Sequence, residues 1–335
     1  MKSRNVTIYP GIQILRMIFS FNIVVLHCIR NKRENLFIYF ISSYAAIYYV
    51  PTFFLISFYF SYKTFVSKNI FKLKERLLRI LVPYIIWPFI FWMKNFFLNI
   101  INGIEDNNKY KRLFYQLLLG KPVNPVFWFH FCLIFYNILL IIIILMFNKI
   151  YKYIMTILLI LILYLNYSGY TDSFINHNFS TVAISVYDLF YRIIYAFSGF
   201  YFGSINVLNY KFSYISKIIL ISFLGFIFTR SFKDKTNLGY IHVQLVINII
   251  FLFTSLIPSF LLKNKIIISK IIHLASYTGG IYYLHYEFKR KPLNKIYLIK
   301  KANLFSCVFI YFICYLFCFL SFKIFKNTKF KYLFV

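Results

Sequence analysis

About ten runs of some 20 mostly apolar residues follow one another along this chain, separated by short loops. That succession constrains the fold more than any other feature. Backbone in hydrocarbon must satisfy its own hydrogen bonds, so each run is expected to form a helix. The expected fold is an all-α integral membrane protein, a bundle of about ten transmembrane helices. The predicted spans are roughly 8–29, 36–61, 80–101, 126–147, 153–169, 182–203, 215–230, 240–262, 270–287 and 302–325. Residues 1–335 are read as a single transmembrane domain with no separate soluble domain. The longest stretch between spans, 102–125, is expected to lie on the bilayer surface. No small-residue cleavage pattern follows the first span, so that span is expected to be retained.

Composition excludes the main alternative. With 61% hydrophobic and 14% charged residues, the chain cannot supply the polar skin of a soluble domain. Lys and Arg number 38 against 8 Asp and Glu, a net charge of +30. In a soluble protein this would suggest nucleic acid. Here the basic residues cluster between apolar runs, so membrane lipid headgroups are the expected partner and nucleic acid is not. Cys28, Cys132, Cys307, Cys314 and Cys318 include no CxxC pair and read as small core residues, with no metal site expected.

Orientation follows from the basic loops. The segment YKTFVSKNIFKLKERLLR (62–79) is densely basic and is placed inside. GYTDSFINHNFST (169–181) has no Lys or Arg and is placed outside. Both termini are then cytoplasmic in a multi-pass plasma (inner) membrane protein. FKRKPLNKIYLIKK (288–301) is very basic yet falls outside in this scheme.

The first span carries Arg16 and His27 with nothing charged between them. Their spacing of eleven residues is three turns plus about 20°, which puts both on one helical face about 16 Å apart along the axis. Two readings are open. Arg16 snorkels and His27 bonds a neighbour, or both face the bundle interior as functional groups. Arg76 and Arg79, at i and i+3, share a face at the inner surface. They read either as positive-inside anchors or as a fork for phosphate. Asp188 and Arg192, at i and i+4, read as a structural pair or as part of a site. Glu287 either ends a helix or orients a functional histidine. Trp128 fits an interfacial belt or a sugar-stacking surface. His130 reads as interfacial, and Ser57 as a packing residue.

Five segments taken in order resemble the acyltransferase 3 family, the integral membrane O-acyltransferases of bacterial surface polysaccharides. They are Arg16 with His27, the segment from Val50 to Tyr59, Arg76 and Arg79 before Pro83 and Tyr84, Trp128–Phe129, and Ser276, Tyr277, Tyr282 and His285. The resemblance covers Gly11 to about Lys326. Phe58 stands where the family has Gly, and Gly279–Gly280 reads as an insertion.

The resemblance implies that acetyl-coenzyme A (or another acyl-coenzyme A) is a co-substrate bound from the cytoplasm, with no permanently bound cofactor. The acyl group would pass to a hydroxyl of a glycan or lipid-linked glycan acceptor. It implies His27 as general base or acyl carrier, with Arg16, Glu287 and Asp188 as catalytic partners. Arg76, Arg79 and Ser57 would bind the donor, and Trp128 and His285 the acceptor. The alternative within the same family is a polysaccharide exporter or flippase without acyl transfer. A third reading, a catalytically dead scaffold, is opposed by the intact Arg16–His27 pair.

Overall fold

The computed structural model describes residues 9–28, 46–67, 69–103, 127–167, 183–206, 239–261, 265–290 and 304–334, with isolated residues at 113, 114, 117, 215, 218, 219 and 222. Among them the chain is helical, with no strand. Ten α-helices are described: α1 (Pro10–Cys28), α2 (Ala46–Val66), α3 (Ile70–Ile101), α4 (Trp128–Phe147), α5 (Tyr151–Tyr167), α6 (Ala183–Ser204), α7 (Gly239–Leu261), α8 (Lys265–Ser276), α9 (Thr278–Arg290) and α10 (Leu304–Phe325). Four of these, α1, α3, α4 and α10, are long and apolar enough to cross a membrane by length and composition. Residues 36–45 of the predicted span 36–61, most of the predicted span 215–230 and most of the 102–125 segment fall outside the described residues.

Two predicted boundaries are corrected. The helix that carries the third predicted span, 80–101, begins before it. It starts at Ile70 and runs 32 residues. The basic turns LKERLLR are good helix formers, and Asn69 caps them by accepting a hydrogen bond from the Lys72 N–H at 3.1 Å. At the far end Gly103, with φ +64°, takes the left-handed conformation that closes a helix. The ninth span, expected as one helix over 270–287, is two shorter helices broken at Tyr277. Thr278, Gly279 and Gly280 follow the break, and two adjacent glycines favour helix interiors poorly.

The helix α1 lies centrally, packed against α2, α7, α8, α9 and α10. Polar groups on it therefore meet protein rather than lipid. The most extensive pair is α2 with α6. A Cβ at Gly199 would collide with the Leu55 carbonyl, and one at Gly203 would lie 2.7 Å from the Tyr59 carbonyl oxygen. This small-xxx-small spacing lets the two backbones approach. The buried core is largely aromatic, with Phe54, Phe58, Phe127, Tyr136, Phe200 and Tyr283 fully enclosed. Leu145, Met146, Ile160, Phe312 and Ile324 are exposed. Apolar surface both inside and outside is what a lipid-facing bundle requires.

After α10 a short 3-10 turn, Lys329–Leu333, returns to the bundle. The Trp87 indole N–H donates to the Leu333 carbonyl at 3.1 Å, and Phe334 stacks on Phe325. This places the end of the chain beside α3.

Candidate functional site

A cavity of about 630 Å³ opens within the bundle. Its wall includes Arg16 and Gln13 from α1, Ser57 from α2, Arg76 and Arg79 from α3, His130 from α4, and Thr278, Gly279 and Tyr282 from α9. Four residues singled out by sequence, Arg16, Ser57, Arg76 and Arg79, thus share one wall.

Each arginine is held differently. Arg16 donates from Nη1 to the Gln13 amide oxygen and from Nη2 to the Thr278 hydroxyl, both at 3.1 Å. The Thr278 hydroxyl itself donates to the Ala275 carbonyl at 3.0 Å, so a lone pair is left for Arg16. The break at Tyr277 creates this contact. It exposes the start of α9 to the cavity, where helix amides carry partial positive charge.

Arg76 donates from Nε to the Asn137 amide oxygen at 2.8 Å and from Nη2 to the Ser57 hydroxyl at 3.2 Å. Asn137 is fully buried and anchored through its own amide to the Leu133 carbonyl at 2.5 Å. The rings of Phe58 and Phe65 lie 5.7 and 5.6 Å from the Arg76 guanidinium carbon. Phe58 therefore contributes a π face to the arginine. Ser57 spends its hydroxyl on Arg76.

Arg79 is exposed and paired with Glu75 at 2.7 Å, with Tyr332 of the chain end beneath it. This is the sole ion pair among the described residues. Arg16 and Arg76 are held there by neutral groups alone. Two guanidiniums in one cavity with no carboxylate bonded to them among the described residues suit an anionic ligand.

His27 and His285 lie beyond the cavity wall. The rings of His27 and His285 are 5.2 Å apart between centroids. His285 is fully buried, and its Nδ1 lies 3.1 Å from the Ile281 carbonyl oxygen. A carbonyl can only accept, so Nδ1 carries a proton, and whenever the ring is neutral Nε2 is its acceptor nitrogen. Tyr282, on the cavity wall, is 6.0 Å from His285 and joins the two regions. Arg16–Thr278 at one end and His27–His285 at the other align α1 with α9.

Trp128 is not on the cavity wall. The Arg192 guanidinium lies 4.1 Å above its ring. The side chains of Asp188 and Glu287 lie outside the described residues, although their backbones fall within α6 and α9. Cys132, Cys307, Cys314 and Cys318 are buried, and no metal-binding cluster occurs among the described residues.

Gln13, Asn137 and Thr278 were missed by sequence reasoning, and His130 was read only as interfacial. His130 is 8% exposed and lines the cavity. Its signal was periodic. His130, Leu133 and Asn137 recur at the three- and four-residue spacing of one helical face. Asn137 was also a lone amide in an otherwise apolar run, which marks an inward position.

The family model described as an acyltransferase domain, Acyl_transf_3, matches residues 9–319, nearly the whole chain. No curated protein and no solved structure shows significant similarity to it.

Proposed function

The chain belongs to this acyltransferase family, and from that premise we propose that it moves an acetyl (or other acyl) group from cytoplasmic acyl-coenzyme A to a hydroxyl of a cell-surface or secreted polysaccharide. The observation that carries the proposal is the pair Arg16 and Arg76, drawn into one cavity and met, among the described residues, by neutral partners. Such a pair suits the phosphates of an anionic donor. The start of α9 adds to the same field. Arg79 sits at the exposed edge, where it suits capture more than tight holding.

The long arm of the donor would carry the thioester past Tyr282 toward His27 and His285. The acceptor oxygen attacks the thioester carbonyl carbon, the new C–O bond forms, and the C–S bond breaks. His27 takes the hydroxyl proton as general base, and the departing thiolate is protonated. The alternative role for His27 is transient acyl carriage on its imidazole. His285, held in one tautomer by Ile281, is suited to orient His27. Asp188 and Glu287 are retained as candidates for the same task, and Trp128 for acceptor contact.

This reading carries about ten spans in the plasma membrane and two cytoplasmic termini. A reporter fused after Val335 is expected in the cytoplasm. An extracytoplasmic reporter would invert every assignment of donor and acceptor side.

One observation favours the second reading, a glycan exporter. The α8–α9 helix is discontinuous at the cavity, as transporter helices often are. The deciding experiment measures base-labile O-acetyl groups and total extracellular polymer from cells carrying wild-type protein, His27→Ala, or neither. Acyl transfer predicts that His27→Ala removes acetyl while polymer remains outside. Loss of polymer with unchanged acetylation of the remainder would move export ahead.

A further inference from the structure

His130 sits in the first turn of α4 with its imidazole against Tyr283, 4.4 Å between centroids, and Tyr282, 6.0 Å. It is 8% exposed, and it lines the cavity. Its Nδ1 is buried without a hydrogen-bond partner among the described residues. Several other polar groups on this wall are engaged. Arg16 bonds Gln13 and Thr278, Arg76 bonds Asn137 and Ser57, and Ser20 bonds Tyr311 and the Met17 carbonyl. A buried imidazole nitrogen without a partner is destabilising until something bonds it.

Beside His130 the wall carries the rings of Phe129, at 5.2 Å, and Tyr282, and Val50, Phe53 and Leu133 add apolar lining to the same cavity. That combination selects among ligand chemistries. A phosphate needs several donors or cations, and those lie with the arginines. A sugar ring carries hydroxyls around its edge and needs several partners, where this stretch has one open nitrogen. A mostly apolar chain with an occasional amide fits.

We propose that His130 is a binding residue for the acyl donor, its imidazole hydrogen-bonding an amide of the pantetheine arm between the arginines and the His27–His285 pair. This rests on the acyltransferase reading above. Neutral imidazole has one donor and one acceptor nitrogen, and an amide offers the complement of either.

The test uses full-length protein in lipid nanodiscs and two probes. One is coenzyme A. The other is its phosphorylated adenosine half, which lacks the arm. His130→Phe keeps a ring against Tyr283 but removes the nitrogen, and His130→Asn keeps a polar group. The expected result is coenzyme A affinity about tenfold weaker in His130→Phe and within about threefold of wild type in His130→Asn. The armless probe should bind all three proteins alike. Unchanged coenzyme A binding in His130→Phe would overturn the proposal, as would equal weakening of both probes. A shift confined to the acceptor's KM would assign His130 to the acceptor instead and also overturn it. If wild-type protein binds neither probe, the donor assignment itself fails, and this proposal with it.

Discussion

The two ends of the α1–α9 pair are built on opposite principles. At the Arg16 end, charge is abundant and every guanidinium is braced by named hydrogen bonds. At the His27 end, the described groups are imidazoles and phenols packed ring against ring, with no arginine among them. Fixed cations hold an anion without moving. A neutral imidazole can take up and release a proton near neutral pH. The difference suggests a division of work between holding a donor and moving a proton. It also explains why one helix carries both residue types three turns apart.

That division can be broken at either end. The largest effect at the arginine end is expected from Arg76→Met, which removes a cation braced by Asn137 and Ser57 while keeping most of the volume. The donor's KM should rise about 10- to 100-fold, with a smaller change in kcat. Initial rates at varied donor concentration would show it. A fall in kcat alone would move Arg76 to the histidine end's task. The His285→Phe substitution keeps the aromatic packing but loses the acceptor nitrogen. It should lower kcat about 10-fold and displace the pH–rate profile, leaving the donor's KM near wild type. An unshifted profile would reduce His285 to packing. The Arg79→Ala substitution should act least. Its side chain is exposed and already paired with Glu75, and exposed pairs are worth at most about 1 kcal/mol. A donor KM change of a few-fold or less is expected, and high salt should narrow it further. A loss as large as that of Arg76→Met would make Arg79 a full member of the holding end.

How much of this was legible in the sequence differs between the two ends. The Arg16–His27 spacing is a property of one helix, and a 3.6-residue period is visible without any tertiary information. The partners are not. Thr278 meets Arg16 across 262 residues, and Asn137 meets Arg76 across 61. These contacts depend on which helices neighbour one another, and apolar runs read alike whether they face lipid or protein. His130 and Asn137 still left a trace as polar residues on one face of an apolar helix. The α3 boundary was missed because hydropathy locates the end of the lipid, while the helix continues through LKERLLR. The break at Tyr277 was hidden because α8 and α9 both keep an apolar face on either side of it. Gly279–Gly280 was the local sign.

The measurement that probes the division most directly is equilibrium binding of acetyl-coenzyme A to wild-type protein, His27→Ala and Arg76→Met in the same nanodiscs, followed by acyl transfer from the same samples. The prediction is that His27→Ala binds donor within about twofold of wild type yet transfers at least about 100-fold more slowly, while Arg76→Met binds at least about 10-fold more weakly. Loss of donor binding in His27→Ala, or wild-type binding in Arg76→Met, would contradict the separation of the two ends.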